Sequence, residues 1–187
     1  MSSIRLFVLG SLAERGPMHG HQLRLLAEQE HVTLWTDITV GALYGAIKRL
    51  NAEGLIAATR TERDGAYPER HVWEVTDSGR TTLRTLQSDG LRSVVVKPDP
   101  FDLAMTRLDK ARLDELPAMI EARVRTLDAM LHDSETHNRL AGQFLTVSEK
   151  FVMRHKAERL RAELDWHRAL LEELPTIIAD ERTRTHD

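Results

Sequence analysis

The fold of this chain is decided by the stretch Asp37-Ile38-Thr39-Val40-Gly41-Ala42-Leu43-Tyr44-Gly45-Ala46-Ile47-Lys48-Arg49-Leu50-Asn51-Ala52-Glu53-Gly54-Leu55-Ile56. Its large apolar residues recur at steps of three and four, which predicts a helix with one buried face. That face is formed by Val40, Leu43, Ile47 and Leu50. Thr39 is the candidate N-cap of this helix, and Gly54 is the signal that ends it.

The opposite face of this predicted helix is unusual, because it combines small residues, an aromatic hydroxyl and two cations: Gly41, Ala42, Tyr44, Gly45, Lys48 and Arg49. A glycine inside a helix costs roughly 1 kcal/mol relative to alanine. The two glycines therefore favour a face that another molecule approaches closely, and our hypothesis is that this molecule is DNA. The alternative is an ordinary surface helix whose glycines accommodate a packed neighbour, and periodicity alone does not separate the two.

The flanking segments place this helix third in a recognisable order. Residues 4–14 predict a first helix that ends at Gly16-Pro17, and residues 18–28 predict a second short helix. Residues 55–63 and 70–76 then predict two strands of a β-hairpin joined by turn residues. Three helices followed by a hairpin is the order of a winged helix-turn-helix domain, in which the third helix enters the major groove of DNA.

A connector with two prolines at residues 91–100 predicts a boundary between a domain of residues 1–90 and a helical domain of residues 91–187. The second domain begins with a helical stripe that contains Pro117, either in the first turn or at a kink. The members of this stripe are Leu113, Leu116, Ile120, Val124, Leu127 and Leu131.

A second long stripe alternates steps of four and three, which is the spacing of a coiled-coil seam. Its members are Met153, Ala157, Leu160, Leu164, His167, Leu171 and Leu174. A seam needs a partner helix, so we expect this one to form a dimer and Leu164→Asp to give monomers. His167 either fixes the register of the seam or reaches to its rim, and His132 and His137 are predicted to lie in a loop.

Composition restricts the class of protein. The 187 residues are 41% hydrophobic and 29% charged, and none of them is cysteine. No apolar run approaches the roughly 20 residues that cross a bilayer, and the N-terminus has no secretory signal, so we expect a cytoplasmic protein without a membrane partner. No phosphate-binding loop, nucleophile elbow or zinc motif is present, which predicts no enzyme and no cofactor.

The charge of the chain argues for a local DNA contact rather than a generally basic surface. The net charge is −3, and residues 1–90 hold ten Lys/Arg against eleven Asp/Glu, a balance of −1. DNA affinity therefore depends on a local basic patch and should fall steeply with salt. A helical interaction module, whose winged domain binds a protein partner, is the alternative that this balance leaves open.

Several motifs together resemble the N-terminal domain of PadR-like transcriptional regulators over about residues 4–90. They are Met18-His19-Gly20, the run from Leu43 to Leu50, Glu53-Gly54-Leu55-Ile56, Arg70, and the run from Val75 to Arg80. His21 and the pair Val72-Trp73 depart from the usual residues of the family. The resemblance implies a transcription regulator whose C-terminal helices form a homodimer. We expect a repressor that binds a near-palindromic operator in double-stranded DNA, and a small-molecule effector bound in or near the C-terminal half.

Ten residues are the candidate DNA contacts. Lys48 and Arg49 are expected at phosphates or guanine edges and Tyr44 at a phosphate, and the small Gly41 and Ala42 would approach the groove. The remaining candidates are Thr39 at the helix N-terminus, Arg63 and Arg70 beside the hairpin tip, and His19 and His21 at the start of the second helix. For the two histidines three interpretations stand: contact with a phosphate, capping and packing, or a metal pair. The metal pair is the weakest, because no third ligand lies at ligand spacing.

Overall fold

The computed structural model describes residues 2–62 and 70–184 of the chain. The chain forms two compact units, Met1–Val95 and Val96–Asp187. None of the described helices is both long enough and apolar enough to cross a membrane.

The first unit consists of short helices and three strands, which follow the predicted order with one addition. Its elements are α1 (Ser3–Arg15), β1 (Met18–His19), α2 (Gly20–Gln29), 3₁₀ turns at Val32–Leu34 and Val40–Ala42, α3 (Leu43–Ala52), β2 (Ile56–Glu62), β3 (Arg70–Val75) and α4 (Asp77–Arg92). The expected fold class, mainly α with a winged helix-turn-helix and a C-terminal helical region, is confirmed.

The addition is β1, which lies where the sequence predicted the start of the second helix. Its two residues pair antiparallel with β3, Met18 with Trp73 and His19 with Val72, so that the sheet order is β1-β3-β2. The β2–β3 hairpin pairs Ile56 with Val75, and its register shifts between Ala58 and Arg60. Because Pro17 has no backbone N–H and favours extended neighbours, the chain before α2 suits an edge strand.

The predicted stripe of α3 forms the centre of the core. Leu43 and Leu50 are fully buried with Leu9, Leu12 and Leu23, while Val40 is partly buried against the same cluster. The helix begins later than predicted, because Val40–Ala42 is a 3₁₀ turn and the Thr39 side chain caps no N–H group. Gly54, with φ +71°, ends the helix as predicted.

The motifs around Gly54 and Gly79 meet in space. The Thr76 hydroxyl donates to the Gly54 carbonyl at 2.8 Å and accepts from the Gly79 N–H at 3.0 Å, and thereby caps α4. A Cβ atom on Gly79 would lie 2.0 Å from the Leu55 carbonyl oxygen. Only glycine allows α4 to begin this close to the end of α3.

The second unit is a hairpin of two long helices, α6 (Leu116–Ala141) and α7 (Val147–Thr183). They are preceded by the short helix α5 (Pro100–Met105) and a 3₁₀ turn at Lys110–Glu115. Pro117 lies in the first turn of α6, which decides between the two predicted positions. His132 and His137 lie within α6, so their prediction as loop residues was wrong. A helical face continues through both residues, and histidine is too weak a helix breaker to end it.

The predicted seam packs inside the chain. Ala157, Leu164, His167 and Leu174 of α7 are buried, and Leu174 packs with Leu116 and Ile120. Ion pairs Arg168–Asp128 and Arg161–Glu135 show that α6 and α7 run antiparallel. The expectation that this seam needs a second chain was therefore wrong, because α6 supplies the partner. His167, 1% exposed, does not reach the rim as the sequence favoured.

Candidate nucleic-acid interface

The unusual face of the third helix is exposed along its whole length. Its exposed residues are Gly41, Ala42, Tyr44, Lys48 and Arg49, and the Tyr44 side chain is 53% exposed. The buried face of the same helix holds the core residues already described. Since the apolar side is used by the core, the polar side is available to a second molecule.

The glycines of this face have no packed neighbour among the described residues. A Cβ atom on Gly41 would meet nothing within 4 Å, and a Cβ atom on Gly45 would meet only Arg49 Nη1, at 3.4 Å. Packing within the described chain therefore does not require either glycine. Among the described residues, no neighbouring element packs against either glycine, so the alternative of a packed neighbour has no support in this part of the chain.

A cleft of about 340 Å³ opens beside this face, where three elements meet. It brings together the predicted residues His21 of α2, Tyr44 and Lys48 of α3 and Arg70 of β3. Its remaining lining residues, which are not among the ten candidate contacts, are Gly20, Ile47, Asn51, His71 and Trp73. A concave surface lined by the second helix, third helix and wing is suited to a groove edge or backbone of DNA.

Tyr44 closes one side of the cleft by lying over Gly20. A Cβ atom on Gly20 would be 2.8 Å from Tyr44 Cε1, closer than side chains normally approach. The absence of a side chain at Gly20 therefore sets the position of the Tyr44 ring. No periodicity in the sequence indicates this requirement, although the motif Met18-His19-Gly20 contains the residue.

The two histidines at the start of α2 have different roles. His19 is the N-cap: its Nδ1 atom accepts from the Gln22 N–H at 3.0 Å, and the Gln22 side chain accepts from the His19 N–H at 2.9 Å. This capping box satisfies two backbone donors and matches the capping alternative for His19. His21, the second residue of α2, lines the cleft instead. Among the described residues no group of three or more potential ligands gathers around a metal position.

The wing contributes one of its two predicted arginines to the cleft. Arg70 begins β3 opposite Glu62 in the hairpin register. Arg60, on the other strand of the hairpin, pairs with the Glu62 carboxylate at 2.7 Å. Arg63 and the turn at residues 64–69 lie outside the described residues.

The remaining predicted residues lie apart from this cleft. Thr39 and Ala42 line a second depression, of about 270 Å³, together with Ser2 and Asp37. Gly41, Gly45 and Arg49 lie on the open face of the third helix and line neither cavity. The candidate residues therefore form one surface with a cleft on one side, rather than a single pocket.

The two cations of the third helix are not neutralised by an ion pair in the described part of the chain. Neither Lys48 nor Arg49 forms an ion pair there, whereas Arg5, Arg15 and Arg24 of the preceding helices pair with glutamates. The first unit thus has a local basic patch although its overall charge balance is close to zero. Such a patch is where phosphate contact is expected.

These features define the class of protein as a winged helix-turn-helix protein, with its third helix exposed beside the wing. Residues 8–85 match the model of the transcriptional regulator PadR-like family. This match confirms that the first unit resembles the family, and it agrees with the expectation of a regulator rather than an enzyme.

Solved structures show the same fold over nearly the whole chain. The complex of Bacillus subtilis PadR with operator DNA is 22% identical, with a TM-score of 0.67, and the match covers 93% of this chain and 98% of that one. The complex of the same protein with p-coumaric acid is 19% identical, with a TM-score of 0.67 and 93% and 99% covered. A PadR-like regulator from Bacillus cereus is 20% identical, with a TM-score of 0.58 and 91% and 94% covered. No curated protein matches the sequence significantly.

Proposed function

We propose that this protein is a cytoplasmic transcription regulator whose residues 1–90 bind operator DNA. The observation that carries the proposal is the exposed face of α3 beside an open cleft, where Lys48 and Arg49 form no ion pair with the described residues. In this arrangement α3 enters the major groove, and Lys48 and Arg49 meet phosphates or guanine edges. Bacillus subtilis PadR, which shares the fold, was crystallised with operator DNA.

The contacts divide between the groove and the flanking backbone. Tyr44 directs its hydroxyl to a phosphate, and the small Gly41, Ala42 and Gly45 let the helix lie close to the groove. Arg63 and Arg70 of the wing contact the adjacent backbone. Thr39 and His21 lie near helix N-termini, which favour anions, while His19 contributes by fixing the start of α2.

The deciding experiment is a DNA-binding titration with Lys48→Ala and Arg49→Ala at about 50 and about 200 mM salt. DNA from upstream of the protein's own gene is the first probe. Each variant should lose at least about tenfold in affinity and lower the salt slope by about one. Arg84→Ala is the matched control, since Arg84 is exposed on α4 and donates to Thr81 within its own helix. Unchanged affinity in both variants would refute the assignment of this face, and no specific retention at low salt would favour the protein-interaction alternative.

We propose further that residues 91–187 form a homodimer, so that two α3 helices enter successive major grooves about 34 Å apart on a near-palindromic site. The buried α7 seam is not available for this contact. An apolar surface that is available lies around the turn between α6 and α7, where large side chains are exposed: Leu140, Phe144, Val147, Phe151 and Val152. Apolar patches of this kind mark interaction sites in proteins.

The sign of regulation and the effector complete the proposal. We propose a repressor whose DNA affinity falls when a small molecule binds to the second unit. The effector would lower the population of the conformation that binds DNA. Bacillus subtilis PadR was crystallised with p-coumaric acid, so aromatic acids are the first compounds to test. Transcription in vitro from the operator-bearing promoter decides the sign, since a repressor lowers transcript yield. An aromatic acid that leaves both melting temperature and operator affinity unchanged would eliminate this class of effector without affecting the DNA-binding proposal.

A further inference from the structure

One side-chain cluster in the second unit has no part in the proposed function. His167 of α7 is buried, and its Nε2 atom lies 2.6 Å from Arg123 Nε of α6. Its Nδ1 atom lies 2.7 Å from the Glu163 carbonyl oxygen. Arg123 in turn pairs with the Asp99 carboxylate through Nη2. The chain of contacts therefore runs from α7 through α6 to the residue that begins α5.

The chemistry of these contacts defines the protonation state of His167. A guanidinium group only donates and a carbonyl oxygen only accepts. His167 must therefore accept at Nε2 and donate at Nδ1, which is the neutral ring with its proton on Nδ1. With a second proton at Nε2, His167 would be a cation and a donor at this atom. It would then face Arg123 Nε, which is also a donor on a cation, and the hydrogen bond between them would be lost.

Asp99 connects this contact to the start of α5. Its Oδ1 atom accepts from the Phe101 N–H at 2.9 Å and so caps the helix. The Phe101 N–H, followed by Arg123, lowers the pKa of the Asp99 carboxyl, which keeps Asp99 charged. The Phe101 ring lies 4.4 Å from Arg123 Cζ and 5.1 Å from the His167 ring. The beginning of α5, directly after the connector, thus depends on the position of Arg123.

We propose that His167 is a pH-sensitive latch for the start of α5. In its neutral form it holds Arg123 against Asp99 and Phe101. When it takes up a proton, Nε2 becomes a donor and Arg123 loses its acceptor. His167 then competes with Arg123 for the single carboxylate of Asp99, and the start of α5 loosens.

The charged groups that face His167 determine the direction of this change. Arg123 on α6 opposes a second positive charge, and burial opposes it as well. Asp99 favours the charged ring, as does the Glu163 carboxylate of α7, with Oε2 3.8 Å from Nδ1. Glu163 is 58% exposed, so solvent weakens its attraction. The protonated ring of His167 is therefore accommodated only when Arg123 moves. This requirement links protonation of His167 to the loosening of the start of α5.

The test measures the imidazole nitrogens and the backbone amides of the full-length protein by NMR between about pH 8 and about pH 5.5. At the higher pH we expect the ring of His167 to carry its proton on Nδ1. On acidification the Phe101 amide should lose at least about tenfold in hydrogen-exchange protection, after correction for the intrinsic exchange rate, because a hydrogen bond to a charged group is lost. A proton on Nε2 at about pH 8 in the unmodified protein would overturn the proposal without any substitution.

His167→Gln supplies the second arm, because an amide oxygen accepts from Arg123 and does not titrate in this range. Its Phe101 protection should stay constant over the pH series. His155→Gln, on an exposed position of the same helix, should keep the pH dependence of the unmodified protein. If His167→Gln loses protection with acid to the same extent as the unmodified protein, His167 is not the latch.

Discussion

The ring of Tyr44 lies over the backbone of Gly20, so that a Cβ atom there would be 2.8 Å from Tyr44 Cε1. This contact joins the start of α2 to the exposed face of α3. It also forms one wall of the cleft that contains His21, Lys48 and Arg70. The position of the tyrosine hydroxyl on the candidate DNA surface therefore depends on a residue that has no side chain.

Gly20→Ala tests this dependence. The added methyl group should displace the Tyr44 ring and raise the dissociation constant for operator DNA by about tenfold, the value of about one hydrogen bond to a charged group. Tyr44→Phe, which removes only the hydroxyl, should have a similar effect. Gly10→Ala is the matched control, because its Cβ would meet only Leu83 Cδ1, at 4.0 Å. If Gly20→Ala binds DNA as tightly as Gly10→Ala, the position of Tyr44 has no role in binding.

Gly45→Ala separates stability from function. Gly45 lies inside α3 with a helical backbone, and its Cβ would meet only the end of the Arg49 side chain. The substitution should therefore stabilise the fold by roughly 0.5–1 kcal/mol, as measured by urea unfolding. Operator affinity should fall, because the methyl group occupies the space that we assign to DNA. A variant that is more stable and binds DNA with unchanged affinity would rule out the clearance role of this glycine.

Gly79→Ala tests the junction between the third helix and α4. A Cβ atom there would lie 2.0 Å from the Leu55 carbonyl oxygen, which belongs to the backbone and has little freedom to move. We expect a loss of about 1–3 kcal/mol or more in the free energy of unfolding, as for other overpacked sites. Ser78→Ala, at the exposed neighbouring position, should change stability by less than about 0.5 kcal/mol. Equal stability of the two variants would mean that the junction relaxes at no cost.

Local patterns in the sequence were sufficient for most of the fold. The stripe of α3, the hairpin and the stop at Gly54 depend on periodicity and on glycine conformation, which neighbouring residues encode. The strand Met18–His19 was missed because two residues carry no period, and pairing with β3 creates it. The exposed face of α3 was predicted from composition, but the cleft requires Gly20 and Trp73, which are brought together only by the fold.

The seam on α7 shows a different limit of sequence analysis. Steps of four and three indicate that a helix has a helical partner, but they do not indicate which chain supplies it. Here α6 of the same chain occupies that face, and the polar member of the seam, His167, bonds to Arg123 rather than to solvent. The surface left for a second copy is therefore not the one that the periodicity favoured.

This distinction changes the expected result for Leu164→Asp. Leu164 is 2% exposed in the interior of the second unit, so a carboxylate at this position would be buried without a partner. We expect the unit to unfold, with a loss of about 4 kcal/mol or more, rather than to give folded monomers. Circular dichroism and thermal unfolding measure this loss directly.

Phe151→Asp should instead separate a dimer and leave the fold intact. Phe151 is 60% exposed near the start of α7, where Arg154 lies over its ring at 4.3 Å and would pair with the new carboxylate. Sedimentation should show monomers with native helix content, and operator affinity should fall because the two α3 helices no longer bind together. Arg159→Asp, at an exposed position of the same helix, should remain dimeric. A dimer that persists in Phe151→Asp would place the contact between subunits elsewhere on the second unit, since the α7 seam is already occupied by α6.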